Sequence, residues 1–335
     1  MEIQKPYLLF LADAHDRLAA KVATGIRHWH PEYCVGQLRM AGCQVDCELP
    51  DLDIEAAVAK GAKTLVVGVA NRGGVIAEKW VAVLQQALES GMDLAAGLHN
   101  RLSDVPVLHE TARRLGRNLF DVRHTNAALP VGNGRKRSGK RLLPVGTDCS
   151  CGKMYTALAI EKALLARGEK ATFRATGQTG ILVSGAGISI DAVVADFIAG
   201  AVEVLAPANE PDHWDVIEGQ GSLFHPSFAG VTTGLIHGAQ PDALVLCHEP
   251  TRTAMRGVEY PLPDLADCMA LNLKTARLTN PQARFVGISI NSAQLSEADA
   301  MTYMANLERQ FGLPVADPFR QGVDRIVDNL FLGEN

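Results

Sequence analysis

The stretch that most constrains this chain is Leu142-Leu-Pro-Val-Gly146-Thr-Asp-Cys-Ser-Cys-Gly152-Lys153-Met154-Tyr155. A short apolar run stops at a glycine, five residues lead to a Gly-Lys pair, and an amphipathic run that predicts a helix follows. Strand, glycine-bounded loop and lysine-led helix together predict a phosphate-binding loop. Glycines let the backbone curl until several N–H groups converge on one anion. The helix N-terminus adds partial positive charge, and the lysine adds a point charge. Gly146, Thr147, Asp148, Cys149, Gly152, Lys153, Met154 and Tyr155 are therefore the candidate cofactor contacts.

Two departures from the common loop G-x-x-x-x-G-K-[ST] bear on chemistry. Five residues, not four, separate the glycines, and Met154 stands where a hydroxyl would hold Mg²⁺. A thioether is a poor ligand for a hard cation. Thr156, two positions on, is rotated to another side of the helix. The loop is expected to bind a phosphate without transferring a phosphoryl group, and no metal is expected.

A length of 335 residues suggests two domains. Hydrophobic residues make up 47% and charged ones 21%, the balance of a globular protein. A net charge of −5 gives no reason to expect nucleic acid. No apolar stretch approaches the length of a membrane span, and the N-terminal apolar run ends at Asp13, unlike a signal peptide. Seven cysteines without a secretion signal read as reduced thiols of a cytoplasmic protein.

Apolar strands alternate with helical runs along the first part of the chain. Strands are expected at 7–12, 32–38, 64–69, 93–98 and 119–122, with helices between them. That alternation predicts parallel βαβ units and a Rossmann-like sheet. Ligands sit at the C-terminal ends of such strands, which selects Asp13, Asn71, Arg72, His99 and Arg101. Residues 130–141, with three glycines and five basic residues, read as a flexible, solvated linker. Past the phosphate loop, the strand ending at Arg174 leads to the donor-rich loop 175–180 with Gln178. The strand 214–218 ends in Glu218-Gly-Gln-Gly-Ser222, followed by His225, and the strand 243–247 leads to Arg252. Ser189-Ile-Asp191 is expected to open a helix. The fold class is thus α/β: a Rossmann-like N-terminal domain over 1–130 and a P-loop NTPase-like C-terminal domain with a parallel sheet over 131–335.

Gly146-Thr-Asp-x-x-x-Gly152-Lys153 resembles the phosphate loop of dethiobiotin synthetases, and Glu218-Gly-Gln-Gly resembles a later motif of those enzymes. An ATP-dependent ligase or kinase of that type is one reading, and a nucleotide-sensing module is another. The whole chain is more similar to a narrower family. V-G-T-D-C-x-x-G-K-M, R-A-T-G-Q-T-G, E-G-Q-G-S and G-I-S-I-N, behind a Rossmann-like half, resemble the bacterial D-glutamate N-acetyltransferases. The resemblance spans nearly the whole chain. It implies acetyl transfer from acetyl-CoA, as co-substrate, to the amine of D-glutamate or a related D-amino acid.

The residues bear on that activity independently. The pyrophosphate of CoA suits a phosphate loop without phosphoryl transfer. Acetyl transfer needs a base, because the amine arrives protonated; Asp191, Glu218 and His225 are the candidates. A dicarboxylic amino acid calls for guanidinium groups, and Arg72, Arg101, Arg174 and Arg252 lie at or after strand ends, with Asn71 and Gln178 beside them as further substrate contacts. The expected partners are an amino acid and acetyl-CoA, with no nucleic acid and no membrane, in a homo-oligomer.

Overall fold

The computed structural model describes residues 2–17, 19–69, 74–124 and 128–332. In chain order the elements are β1 (Tyr7–Ala12), α1 (Lys21–Trp29), β2 (Cys34–Arg39), α2 (Ile54–Ala59), β3 (Thr64–Val67), α3 (Glu78–Glu89), β4 (Asp93–Ala96), α4 (Pro106–Leu115) and β5 (Leu119–Asp121). There follow β6 (Lys140–Gly146), α5 (Lys153–Ala166), β7 (Ala171–Arg174), α6 (Gln178–Ser184), α7 (Ile198–Leu205), β8 (Trp214–Ile217), α8 (Ala229–Ala239) and β9 (Ala243–His248). The last are α9 (Leu265–Arg277), β10 (Arg284–Ile290), α10 (Glu297–Phe311), β11 (Val315–Ala316) and α11 (Asp324–Phe331). They form two compact units, one of Met1–Ala127 with Gly177–Ala192, the other of Ala128–Thr176 with Val193–Asn335.

The first unit is built on a five-stranded parallel sheet in the order β2-β1-β3-β4-β5. Every residue of β1, β3 and β4 is buried. Sheets covered on both faces need strands that are apolar throughout, which is why the runs 7–12 and 64–67 do not alternate. Removing Leu8, Leu9 and Phe10 from water contributes roughly 1.5–3 kcal/mol each. Helix α6 packs beside α1 in this unit, with Val183 in van der Waals range of the Gly25 position. The short stretch 177–192 thus belongs to the first sheet's surroundings, a placement not visible in the linear order.

The second unit holds a six-stranded parallel sheet in the order β11-β10-β9-β6-β8-β7. After β6 the chain fills one side with β7 and β8, then crosses to lay down β9, β10 and β11 on the other. The reversal falls between β6 and β9, and crevices at such switch points receive ligands. Pro144 stands inside β6, where a missing N–H would break a ladder. It is tolerated because pairing with β8 stops at Leu142, while pairing with β9 continues to Gly146.

Several expectations change in detail. Helix α5 is not amphipathic: Thr156, Ala157, Leu158, Ala159 and Ile160 are all buried, as in a helix enclosed on most sides. Ser189–Asp191 opens no α-helix; short 3₁₀ turns at Ile190–Ala192 and Ala195–Phe197 precede α7. The stretch 130–141 is largely exposed, but it is tied to the second unit and is no free linker. Its Asn133 and Gly134 amides donate to the Glu203 carboxylate, and Lys136 pairs with Asp242 at 2.8 Å. Arg137 donates to the carbonyls of Gly238 and Ala239. Arg141 is fully buried, with its guanidinium on the carbonyls of Arg137, Ser138 and Gly139. Among the described residues no helix is long and apolar enough to cross a membrane.

Candidate functional site

The loop between β6 and α5 crowns the centre of the second sheet. Ser150 and Gly152 take left-handed backbone angles (φ 53° and 109°), and this turns the chain into α5. Gly152 is suited to that angle because it has no Cβ. Lys153, the first residue of α5, is buried and folds back under the loop, its ammonium donating to the Asp148 carbonyl at 2.7 Å. The stem of Lys153 lies against Gly219. A Cβ there would come within 2.9 Å of Lys153 Cδ and 1.8 Å of the Pro144 oxygen. Gly219 therefore allows the end of β8 to close on the loop and seats Glu218 beside it.

Asp148 organises this loop from inside. It is 1% exposed. One carboxylate oxygen accepts from the Cys149 amide at 2.7 Å. The other accepts from Arg252 Nη1 at 2.6 Å and from the Arg256 amide at 2.8 Å. Arg252 also donates to the carbonyls of Cys149 (2.7 Å) and Ser150 (3.3 Å) and pairs with Glu249 at 2.8 Å. The segment after β9 is thus strapped to the phosphate loop. Arg256, which sequence reasoning did not single out, donates through Nη1 to Ser150 Oγ at 2.6 Å.

His225 is buried, and both its ring nitrogens are engaged. Nδ1 accepts from the Ser227 amide at 3.2 Å, so the proton sits on Nε2, which donates to the Arg256 carbonyl at 3.1 Å. Asp148, Cys149 and His225 bring one potential ligand atom each within 4.8 Å of one another. The carboxylate is already satisfied by three donors and the imidazole lone pair by one, so this trio is a poor cation site.

Glu218 is 4% exposed. Its Oε2 accepts from the Thr176 amide at 2.9 Å, and Thr176 Oγ1 donates to the Glu218 carbonyl at 2.7 Å. Gln220 Nε2 reaches Thr176 Oγ1 at 3.1 Å. Arg174, at the end of β7, is met by the buried Asp215, Nε to Oδ1 2.7 Å. Thr147 Oγ1 lies 3.1 Å from His248 Nδ1. Burial lowers the pKa of His248 to about 4, so this imidazole is neutral at pH 7. Tyr155, half-buried on the first turn of α5, meets the exposed ring of Phe319 edge-on at 5.2 Å. Met154 is half-buried beside it.

All seven cysteines are free thiols. Cys151 Sγ contacts the carbonyls of Asp148 and Cys247, and Cys268 Sγ that of Gly146. Burial pushes the Cys247 and Cys268 thiols up to about 12, far from a reactive thiolate.

In the first unit, Asp191 accepts from Ser189 Oγ at 2.7 Å and pairs with Arg123 at 3.1 Å. Asp13, after β1, is held by Lys79 (2.6 Å) and Trp80 Nε1 (3.0 Å), and the lysine hydrogen bond is the main cause of its lowered pKa. Arg101 precedes a 3₁₀ turn and has no carboxylate partner among the described residues. Gln178 is the first residue of α6, close against Gly97. Asn71 and Arg72 lie outside the described residues.

A family model described as a domain of unknown function, DUF1611_C, P-loop domain, matches residues 130–327, and DUF1611_N, Rossmann-like domain, matches 38–125. A D-glutamate N-acetyltransferase of Tritonibacter scottomollicae is 56% identical over 329 residues, 98% of this chain and 99% of that protein. A D-glutamate N-acetyltransferase of a Pseudoalteromonas species is 49% identical over 331 residues, 98% of this chain and all of that protein (100%). The crystal structure of a DUF1611 family protein from Anabaena variabilis is similar with a TM-score of 0.83 at 32% identity, covering 98% of this chain and 99% of that one.

Proposed function

The chain belongs to the DUF1611 family of D-glutamate N-acetyltransferases, and we propose that it moves the acetyl group of acetyl-CoA to the α-amine of D-glutamate or a related D-amino acid. The names of the relatives support the acceptor. The donor rests on one geometric observation: the phosphate loop keeps its lysine but has no hydroxyl in place for a metal ion. Met154 follows Lys153, and the Thr156 hydroxyl is tied to Ser289 Oγ at 2.7 Å. Such a loop suits a pyrophosphate that is held and not cleaved. A ligase of the dethiobiotin synthetase type would need the missing oxygen.

In this reading the loop amides and Lys153 hold the CoA pyrophosphate, while Asp148 and Arg252 keep the loop in shape. Glu218 takes a proton from the incoming ammonium group. The freed nitrogen attacks the thioester carbonyl, the N–C bond forms, the C–S bond breaks, and the CoA thiolate leaves and is protonated. Glu218 is preferred for its place: it directly follows β8, next to Gly219, which lies against the Lys153 stem, whereas both ring nitrogens of His225 are held by backbone groups.

The test is product analysis by mass spectrometry after incubation with acetyl-CoA and a panel of D- and L-amino acids. The expected product is N-acetyl-D-glutamate with one CoA thiol released per turnover. Acetylation of L-amino acids alone, or no acetylated product from any amino acid, would overturn the proposal.

A further inference from the structure

We propose that Arg256 is a second phosphate-binding cation, which engages the outer phosphate of the CoA pyrophosphate at the rim of the loop and takes the place of a metal ion. The inference rests on the acetyl-CoA reading above and deepens it.

The two arginines of the strap after β9 differ. Arg252 is neutralised within the protein by Asp148 and Glu249. Arg256 is exposed and has no ion pair with any described residue. Its position is nevertheless set at both ends. Its amide is fixed by the buried Asp148 carboxylate at 2.8 Å, its carbonyl accepts from His225 Nε2 at 3.1 Å, and its guanidinium rests on Ser150 Oγ at 2.6 Å. Ser150 is the residue where the loop turns through a left-handed angle. Buried groups therefore fix the backbone of Arg256, and its guanidinium, with no ion pair among the described residues, rests on the exposed crown of the phosphate loop.

Charge balance gives this placement a purpose. Each phosphate of a pyrophosphate bridge carries a negative charge. In a loop that handles Mg²⁺, the metal offsets what the lysine does not. Here Met154 removes the metal's hydroxyl ligand, and Lys153 alone leaves one charge unmatched. Arg256 supplies the second positive charge, and its fork can bridge Ser150 and a phosphate oxygen. It also explains why Asp148 faces inward: its carboxylate fixes the backbone of the arginine and does not meet the anion.

The experiment is calorimetric titration of wild-type, Arg256→Ala and Arg256→Lys proteins with CoA, 3′-dephospho-CoA and pantetheine, together with KM values for both substrates. Arg256→Ala is expected to weaken CoA and 3′-dephospho-CoA alike, by about tenfold to a hundredfold. Arg256→Lys should recover part of the loss, and the KM for D-glutamate at saturating acetyl-CoA should not move. Unchanged CoA affinity overturns the proposal. So does a loss confined to CoA, which would assign Arg256 to the 3′-phosphate. A matching loss for pantetheine, or a parallel rise in the D-glutamate KM, would mean that Arg256 only supports the loop. If wild-type protein binds CoA and the alanine variant binds it equally, this inference falls alone. If wild-type protein binds no CoA, the donor reading falls with it.

Discussion

Thr156 Oγ1 and Ser289 Oγ lie 2.7 Å apart, both buried, at the seam between the helix of the phosphate loop and strand β10. The first aliphatic hydroxyl of α5 is therefore engaged with the sheet. Thr156→Val leaves Ser289 with one partner fewer in a buried place, at a cost of about 1–3 kcal/mol. Thermal unfolding should show that loss, while kcat/KM for acetyl-CoA stays within a few-fold of wild type. A variant of normal stability that has lost its turnover would assign the hydroxyl to the ligand instead.

Lys153→Ala removes a full charge aimed into the loop. CoA affinity should drop by about tenfold to a hundredfold, with little change in the KM for the amino acid. Binding titrations with CoA decide the matter, since a loop that holds something else would leave the CoA affinity where it is.

Glu218→Gln keeps the shape and can still accept the Thr176 amide, but it cannot take a proton. We expect kcat to fall by about 10²–10⁴-fold with the KM for acetyl-CoA nearly unchanged. The residual rate should climb with pH as the amine deprotonates without help. A variant rate that is flat from neutral to alkaline pH would remove Glu218 from the role of base.

His248 gives a pH signature in stability. Burial holds its folded pKa near 4, below the ordinary 6.5. Between those values the unfolded chain binds a proton that the folded protein does not, so this contribution is complete above pH 6.5 and is lost as pH falls towards 4. The loss is on the order of 3 kcal/mol. Urea unfolding of wild type and His248→Gln from pH 7 to 4 should show a steeper acid loss in wild type; parallel curves would contradict the burial argument.

Much of the fold was legible in the sequence because buried parallel strands read as unbroken apolar runs and glycines mark their ends. The phosphate loop was legible for the same reason, as a strand, a glycine-bounded turn and a lysine. Helix α8 was not. Its sequence carries Gly230, Gly234 and Gly238, residues that disfavour an isolated helix. The reason is tertiary: a Cβ at Gly234 would meet Ile198, and one at Gly238 would meet the Ala199 carbonyl at 2.3 Å, so the glycines let α8 approach α7 closely.

Side-chain partnerships were the other hidden layer. An arginine after a strand looks available for a substrate until the fold supplies its carboxylate. Arg252 finds Asp148, distant in sequence, and Arg174 finds Asp215. The same holds for His225, whose two backbone partners come from Ser227 and Arg256. Arg256 could have been noticed only as the second arginine of Thr-Arg252-Thr-Ala-Met-Arg256, a spacing that says nothing about the loop it touches.

If this phosphate loop serves a thioester donor, turnover needs neither ATP nor a divalent metal. Thiol release from acetyl-CoA with D-glutamate, measured after EDTA treatment and again with Mg-ATP added, tests it most directly. The same rate is expected in both arms. Turnover that appears only when Mg-ATP is present would contradict it and return the loop to ATP-dependent chemistry.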